Sequence, residues 1–173
     1  MYDIIEDINN KAEIVEKTLR ELMESFRPVI SETLFNSMEY SLFSGGKRIR
    51  PVLAMYSAEI VNGNQKTACK VGSALELIHT YSLIHDDLPS MDDDDYRRGE
   101  KANHIVYGPG IAILAGDGLL TGTFEILSNM EMEPAKKLKI INVISKNAGV
   151  NGMVGAQVLD LESEDKDIEI EDL

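Results

Sequence analysis

The sequence predicts an all-α fold. Strand-like alternation is scarce, apolar residues recur at three-and-four spacing over long stretches, and glycines and prolines gather at a few points that cut the chain into helix-length pieces. From Ile4 to Phe26 the spacing of Ile4, Ile5, Ile8, Ala12, Val15, Leu19, Leu22 and Phe26 makes one apolar stripe. Pro28 ends or restarts that helix. Val29–Phe43 reads as a second helix, with Val29, Leu34, Met38 and Leu42 on its inner face.

Gly45-Gly46 breaks the pattern, and Lys47-Arg48-Ile49-Arg50-Pro51 follows. Pro51 suits the first turn of a new helix, where its missing N–H costs nothing. Lys47 and Arg50 then stand beside a helix N-terminus, whose free N–H groups and two cations make an anion site. The plain alternative is a helix-breaking loop with ordinary surface cations. Val52–Val61 continues as a buried helix, Asn62-Gly63-Asn64 turns, and Thr67–Asp87 is long and mostly apolar. His79 lies seven residues before Asp86, two turns back on nearly the same face and about 10 Å away.

Ser82–Gly99, SLIHDDLPSMDDDDYRRG, is the centre of the chain. Asp86, Asp87 and Asp92 to Asp95 fall within ten residues, and Arg97 and Arg98 follow. Carboxylates this close repel one another unless a cation neutralises them. Carboxylate oxygens suit Mg²⁺, and paired guanidiniums suit phosphate. Pro89 disrupts the helix, so a local loop must bring Asp92 round to Asp86. A solvated acidic loop is the bland alternative. A calcium loop beginning at Asp92 fails, because Tyr96, Arg97 and Asn103 fall where an oxygen ligand, glycine and glutamate belong.

Beyond Gly99 comes a polar connection, Glu100–His104. Gly108-Pro109-Gly110 starts a helix through Ser128, whose Ala112, Ala115, Gly116, Gly118 and Gly122 allow close helix packing. Pro134 opens a helix through Ala148. After a glycine-rich break, Met153–Leu161 resumes.

Composition sets bounds on function. The 173 residues suffice for one domain with a core. A formal charge of −13 argues against a general nucleic-acid binder, although Asp160–Leu173 alone carries eight acidic residues against Lys166. The start, MYDIIEDINNK, lacks the basic and apolar regions of a secretion signal, and no run of 18 uncharged apolar residues predicts a membrane span. The lone Cys69 excludes an internal disulfide framework. A cytoplasmic protein, not integral to a membrane, is the expectation.

GGKRIRP, SLIHDDLPSMDDDDYRRG and AILAGDGLL, in this order, resemble the trans-isoprenyl diphosphate synthases, in the bacterial farnesyl diphosphate synthase (geranyltranstransferase) branch. The resemblance covers the chain to about Leu161. It implies an isoprenoid synthase helical bundle around a deep central cavity, dependent on Mg²⁺ and homodimeric, which condenses dimethylallyl or geranyl diphosphate with isopentenyl diphosphate. By the same resemblance Asp86 and Asp92 are the principal Mg²⁺ ligands and Asp87 supports them. Arg97 binds the allylic diphosphate, while Lys47, Arg50, His79 and Arg98 bind isopentenyl diphosphate. Asp86, Asp92 and Arg97 thereby form the catalytic set, with no side-chain nucleophile.

Tyr81 and Ser82 lie about 7.5 Å and 6 Å before Asp86 along the helix axis. A bulky Tyr81 would act as a floor under the growing prenyl chain, and in the family an aromatic there accompanies the fifteen-carbon product. The family's second aspartate-rich motif and its Lys-Thr pair are missing from these residues. The expectation is therefore an N-terminal part of a prenyltransferase domain over 1–162, a bundle incomplete at its C-terminus, a frayed acidic tail over 163–173, and little turnover by the isolated fragment. A synthase making a longer or shorter product, a non-catalytic prenyltransferase-like subunit, a terpene cyclase and a helical interaction module are the rival readings.

Overall fold

A computed structural model of the chain describes residues 3–163. The chain divides into two compact units, Met1–Asn129 and Met130–Leu173. The first holds α1 (Ile4–Phe26), α2 (Glu32–Leu42), α3 (Ile49–Ile60), α4 (Gln65–Asp86), a hairpin of β1 (Tyr96–Arg97) and β2 (Glu100–Lys101), the short α5 (Asn103–Tyr107) and α6 (Pro109–Asn129). The second holds α7 (Pro134–Ala148) and α8 (Met153–Ser163). The acidic tail expected to fray lies outside the described residues beyond Ser163.

α4 is the spine of the first unit. Asn64 caps it, its side-chain oxygen accepting from Thr67 N at 2.9 Å. Leu77 and Ala74 are fully buried, as is Leu119 on α6, the helix packed most extensively against α4. The small residues of α6 do what their spacing predicts. A Cβ on Gly118 would meet Met38 Sδ at 3.1 Å, and one on Gly122 would meet the Phe26 ring at 3.0 Å. By length and composition α6 is, among the described residues, the one helix that could cross a membrane. In the fold its Ala112, Ala115, Leu119 and Thr123 are buried within the first unit.

Several expectations need correction. The second helix starts at Glu32, because Ser31 caps it and Arg27–Val29 form a separate 3₁₀ turn. Val29, expected inside, is 78% exposed. Of the first-helix stripe Val15, Leu19 and Phe26 are buried, Met23 is buried where Leu22 was expected, and Ile4 and Ile5 face solvent in this chain. α3 begins at Ile49 and is only half an inner helix: Val52 and Met55 are buried, Leu53 and Ile60 exposed. The polar connection after Gly99 holds a strand and a short helix. Asn103 is buried there because Ser37 Oγ donates to its side-chain oxygen at 2.9 Å while its Nδ2 donates to the Ser37 carbonyl and Ser41 Oγ.

Candidate diphosphate and metal site

The carboxylates meet where α4 ends. After Asp86 the backbone turns through Leu88 N–H to His85 O and Met91 N–H to Leu88 O, and Asp92 N–H then donates to Asp86 O at 2.9 Å. Pro89 stops the helix, and Asp93 takes a left-handed conformation (φ 54°) that aspartate tolerates better than most residues. The loop folds Asp92 back upon Asp86. Burial pushes the Asp86 carboxyl above its usual range, and the charges of Asp92 and then Asp87 push it further, against the pull of Arg97. An acid whose charge is made costly by burial and by a neighbouring carboxylate is a donor that a hard cation would relieve. Among the described residues no three His, Cys, Asp or Glu side chains converge into a ready metal cage.

Arg98 and Gly99 form the two-residue turn between β1 and β2, both with positive φ (55° and 86°), as a tight hairpin demands. The turn sends the two arginines to different places. Arg97 Nε donates to Asp87 Oδ1 at 2.8 Å, and its Nη2 donates to the same oxygen. Asp94 Oδ2 lies 3.7 Å from Nη2. Asp87, expected as a supporting metal ligand, is buried and occupied by this guanidinium. Arg98 Nη1 donates to the Gly45 carbonyl, and its Nη2 lies 3.5 Å from His79 Nε2.

Gly45 and Gly46 have φ of 96° and 140°, and a Cβ on Gly46 would sit 2.8 Å from Arg98 Nη1. Glycine is thus needed for both the dihedral and the approach. His79 is half-buried beside this loop. Burial lowers its pKa, and the positive charges of Arg50, Arg98 and Arg48 add to the effect against Glu76. Arg50, His79 and Arg98, called from sequence as a diphosphate-binding set, therefore share one electropositive neighbourhood. Lys47 is exposed on the loop between Gly46 and α3.

Arg48 is the residue that sequence reasoning passed over. It is 4% exposed, left-handed (φ 50°), and stands at the N-terminus of α3. Its Nε donates to Glu16 Oε2 at 2.9 Å, Nη1 to Glu76 Oε1 at 3.2 Å and Nη2 to the Leu42 carbonyl at 2.8 Å. It therefore ties α1, the end of α2 and α4 to the loop that carries Lys47 and Arg50.

Below Asp86, Tyr81 is buried and meets His85 edge-on, ring centroids 5.6 Å apart. Burial raises the Tyr81 hydroxyl pKa, and Asp86 adds to it. His85 Nε2 lies 3.1 Å from the Ile113 carbonyl, and a Cβ on Gly116 would fall 2.2 Å from that nitrogen. Ser82 turns back, its Oγ donating to His79 O at 3.0 Å. A separate open cleft of about 600 Å³, with Arg20, Tyr40, Phe43, Glu100 and Tyr107 in its wall, holds none of the candidate site residues.

Residues 31–173 match the polyprenyl synthetase family. The farnesyl diphosphate synthase of Bacillus subtilis is 47% identical over 145 residues, which cover 82% of this chain and 49% of that protein. The geranylgeranyl diphosphate synthase of Cyanophora paradoxa is 43% identical over 167 residues, 95% of this chain and 55% of that one. Among solved structures, a putative farnesyl-diphosphate synthase from Marinomonas sp. MED121 superposes with a TM-score of 0.87 at 38% identity, covering 99% of this chain and 61% of the other. The chain spans about half the length of the curated relatives it matches.

Proposed function

The chain belongs to the polyprenyl synthetase family, and on that premise we propose that its protein joins an allylic diphosphate to isopentenyl diphosphate, giving farnesyl diphosphate as main product. The observation that carries the reading is the fold of the acidic loop. One backbone hydrogen bond holds Asp92 against Asp86, and the hairpin that follows supplies guanidiniums to either side.

The chemistry assigns the residues. An allylic diphosphate ionises only if the charge left on the departing diphosphate is neutralised as the C–O bond breaks. Asp86 and Asp92 would hold Mg²⁺, which supplies that neutralisation when bound. Arg97 binds the same diphosphate. Lys47, Arg50, His79 and Arg98 orient isopentenyl diphosphate so that its double bond bonds to the allylic carbon, and the diphosphate released from that carbon takes the proton the adduct loses. A cation of that kind must be kept from water, so an apolar wall should continue below Asp86. Tyr81 fits there as the floor, its ring fixed by His85. In the whole protein these residues would act in a cytoplasmic homodimer, and this half alone would turn over little.

Calorimetry with isopentenyl diphosphate and with geranyl diphosphate, each with and without Mg²⁺, tests the proposal. Mg²⁺ should strengthen geranyl diphosphate binding at least about tenfold, because the carboxylates otherwise repel the anion. Isopentenyl diphosphate should bind nearly independently of metal. Absence of binding to either would favour the interaction module.

A further inference from the structure

We propose that Asp87 is no metal ligand but the positioning residue that aims Arg97 at the allylic diphosphate. The inference rests on the diphosphate reading of the site and adds to it a division of labour between neighbouring acids.

Asp86 and Asp87 are adjacent, so about 100° of helical turn separates their side chains. Asp87 continues the buried face of α4, seven residues after Thr80 and three after Ile84, which are 5% and 2% exposed. Asp86 continues the half-open face, seven residues after His79. Asp87 itself is 3% exposed. A buried carboxylate needs a partner, and Asp87 has one: Oδ1 accepts from both Nε and Nη2 of Arg97. Thr80, Leu83, Ile84 and Ala102 line a small cavity beside this pair, together with polar side chains of α2 such as Tyr40 and Ser41. A cation held by Asp86 and Asp92 would compete with Arg97 for this carboxylate, and drawing Oδ1 away would leave the partly buried guanidinium only the more distant, exposed Asp94.

Arg97 gains what Asp87 loses. Guanidinium carries five N–H donors in a fixed plane. The edge formed by Nε and Nη2 engages Asp87, which fixes the direction of that plane. Nη1 makes no hydrogen bond among the described residues and is left to receive an anion. A free arginine would have to order several rotatable bonds on binding, and Asp87 has done so in advance.

The test is a double-mutant cycle read by calorimetry on the whole chain, with geranyl diphosphate and Mg²⁺ as probes. Asp87→Asn and Arg97→Gln should each weaken geranyl diphosphate at saturating Mg²⁺ by about tenfold or more. The double variant should be no more than about twofold weaker than Arg97→Gln alone, because both changes remove one unit. The Mg²⁺ concentration at half-saturation should stay near the wild-type value in Asp87→Asn, whereas Asp92→Asn should raise it about tenfold. A merely structural role would not separate the two readouts in this way. Asp87→Glu, which displaces the guanidinium by one methylene, should give the same signature should the asparagine variant fail to fold. If Asp87→Asn raises the Mg²⁺ requirement as Asp92→Asn does, or if the two losses multiply, the inference is wrong while the diphosphate site stands. If the wild type binds no geranyl diphosphate with Mg²⁺, the functional reading itself falls, and the inference with it.

Discussion

Replacing Arg48 by methionine should destabilise the protein far more than replacing its exposed neighbours Lys47 or Arg50. Methionine conserves most of the side-chain length, so the main loss is electrostatic. Glu76 is 2% exposed and already has one buried oxygen, Oε2, without a hydrogen-bond partner; Arg48 holds the other. Removing the guanidinium leaves that carboxylate buried and uncompensated and takes the donor from the Leu42 carbonyl. Breaking a buried pair from one side costs about 3–5 kcal/mol. Glu16, about a third exposed, contributes little because water screens it. For a chain of this size a loss in that range lowers Tm by about 10 °C. Urea unfolding followed by circular dichroism at pH 7 measures it. A loss under about 1 kcal/mol, the value of an exposed pair, would refute the argument by showing that Arg48 is solvated in practice. The cycle has a second arm. Arg48→Met combined with Glu76→Leu should recover part of the loss, because no charge is then buried.

Three other outcomes follow from the site. The folded state holds a proton on Asp86 to higher pH than the unfolded state does, so ionising it costs stability. Metal-free wild type should therefore lose stability relative to Asp86→Asn as pH rises from the ordinary aspartate range through the raised pKa, and Mg²⁺ should narrow the gap; denaturation curves across pH that show the reverse slope would contradict this. Gly116→Ala places a methyl 2.2 Å from His85 Nε2, so the partly exposed ring must swing away from the Ile113 carbonyl, at about 1 kcal/mol by thermal unfolding. Tyr81→Ala should shift the main product of the whole synthase beyond fifteen carbons, read by chromatography of the dephosphorylated products, and an unchanged spectrum would remove Tyr81 as the floor.

Much of this was legible because it rests on local rules. Pro134 opens α7 and Gly149 caps its end as their chemistry requires, and Pro109 opens α6. Small residues on α6 announced close packing, and Pro89 announced that Asp92 must return by a loop. What escaped was set by tertiary partners. Val29 has the right residue type for a core position, but Ser31 offers a better cap and moves the helix start past it. Asn103 looks polar enough for a loop, and it is buried because α2 offers Ser37 and Ser41. Arg48 was readable in principle. Carrying the helical spacing of Pro51, Val52 and Met55 one turn back reaches it, whereas Lys47 and Arg50 fall off that face.

The same lesson governs the site. A sequence shows two adjacent aspartates and two adjacent arginines, and adjacency invites treating each pair as one feature. Secondary structure forbids that. On α4 one residue is a rotation of about 100°, enough to send Asp86 toward the half-open side and Asp87 into the core. In a two-residue hairpin the positive φ of Arg98 turns the chain between the arginines, so Arg97 reaches Asp87 while Arg98 reaches the Gly45 carbonyl and His79. The outcome is two charge clusters joined through α4. An excess of acid stands at its end, ready for a cation, and an excess of base stands two turns earlier, ready for an anion. On the proposed function, a metal-bound diphosphate beside a bare one would satisfy both excesses at once.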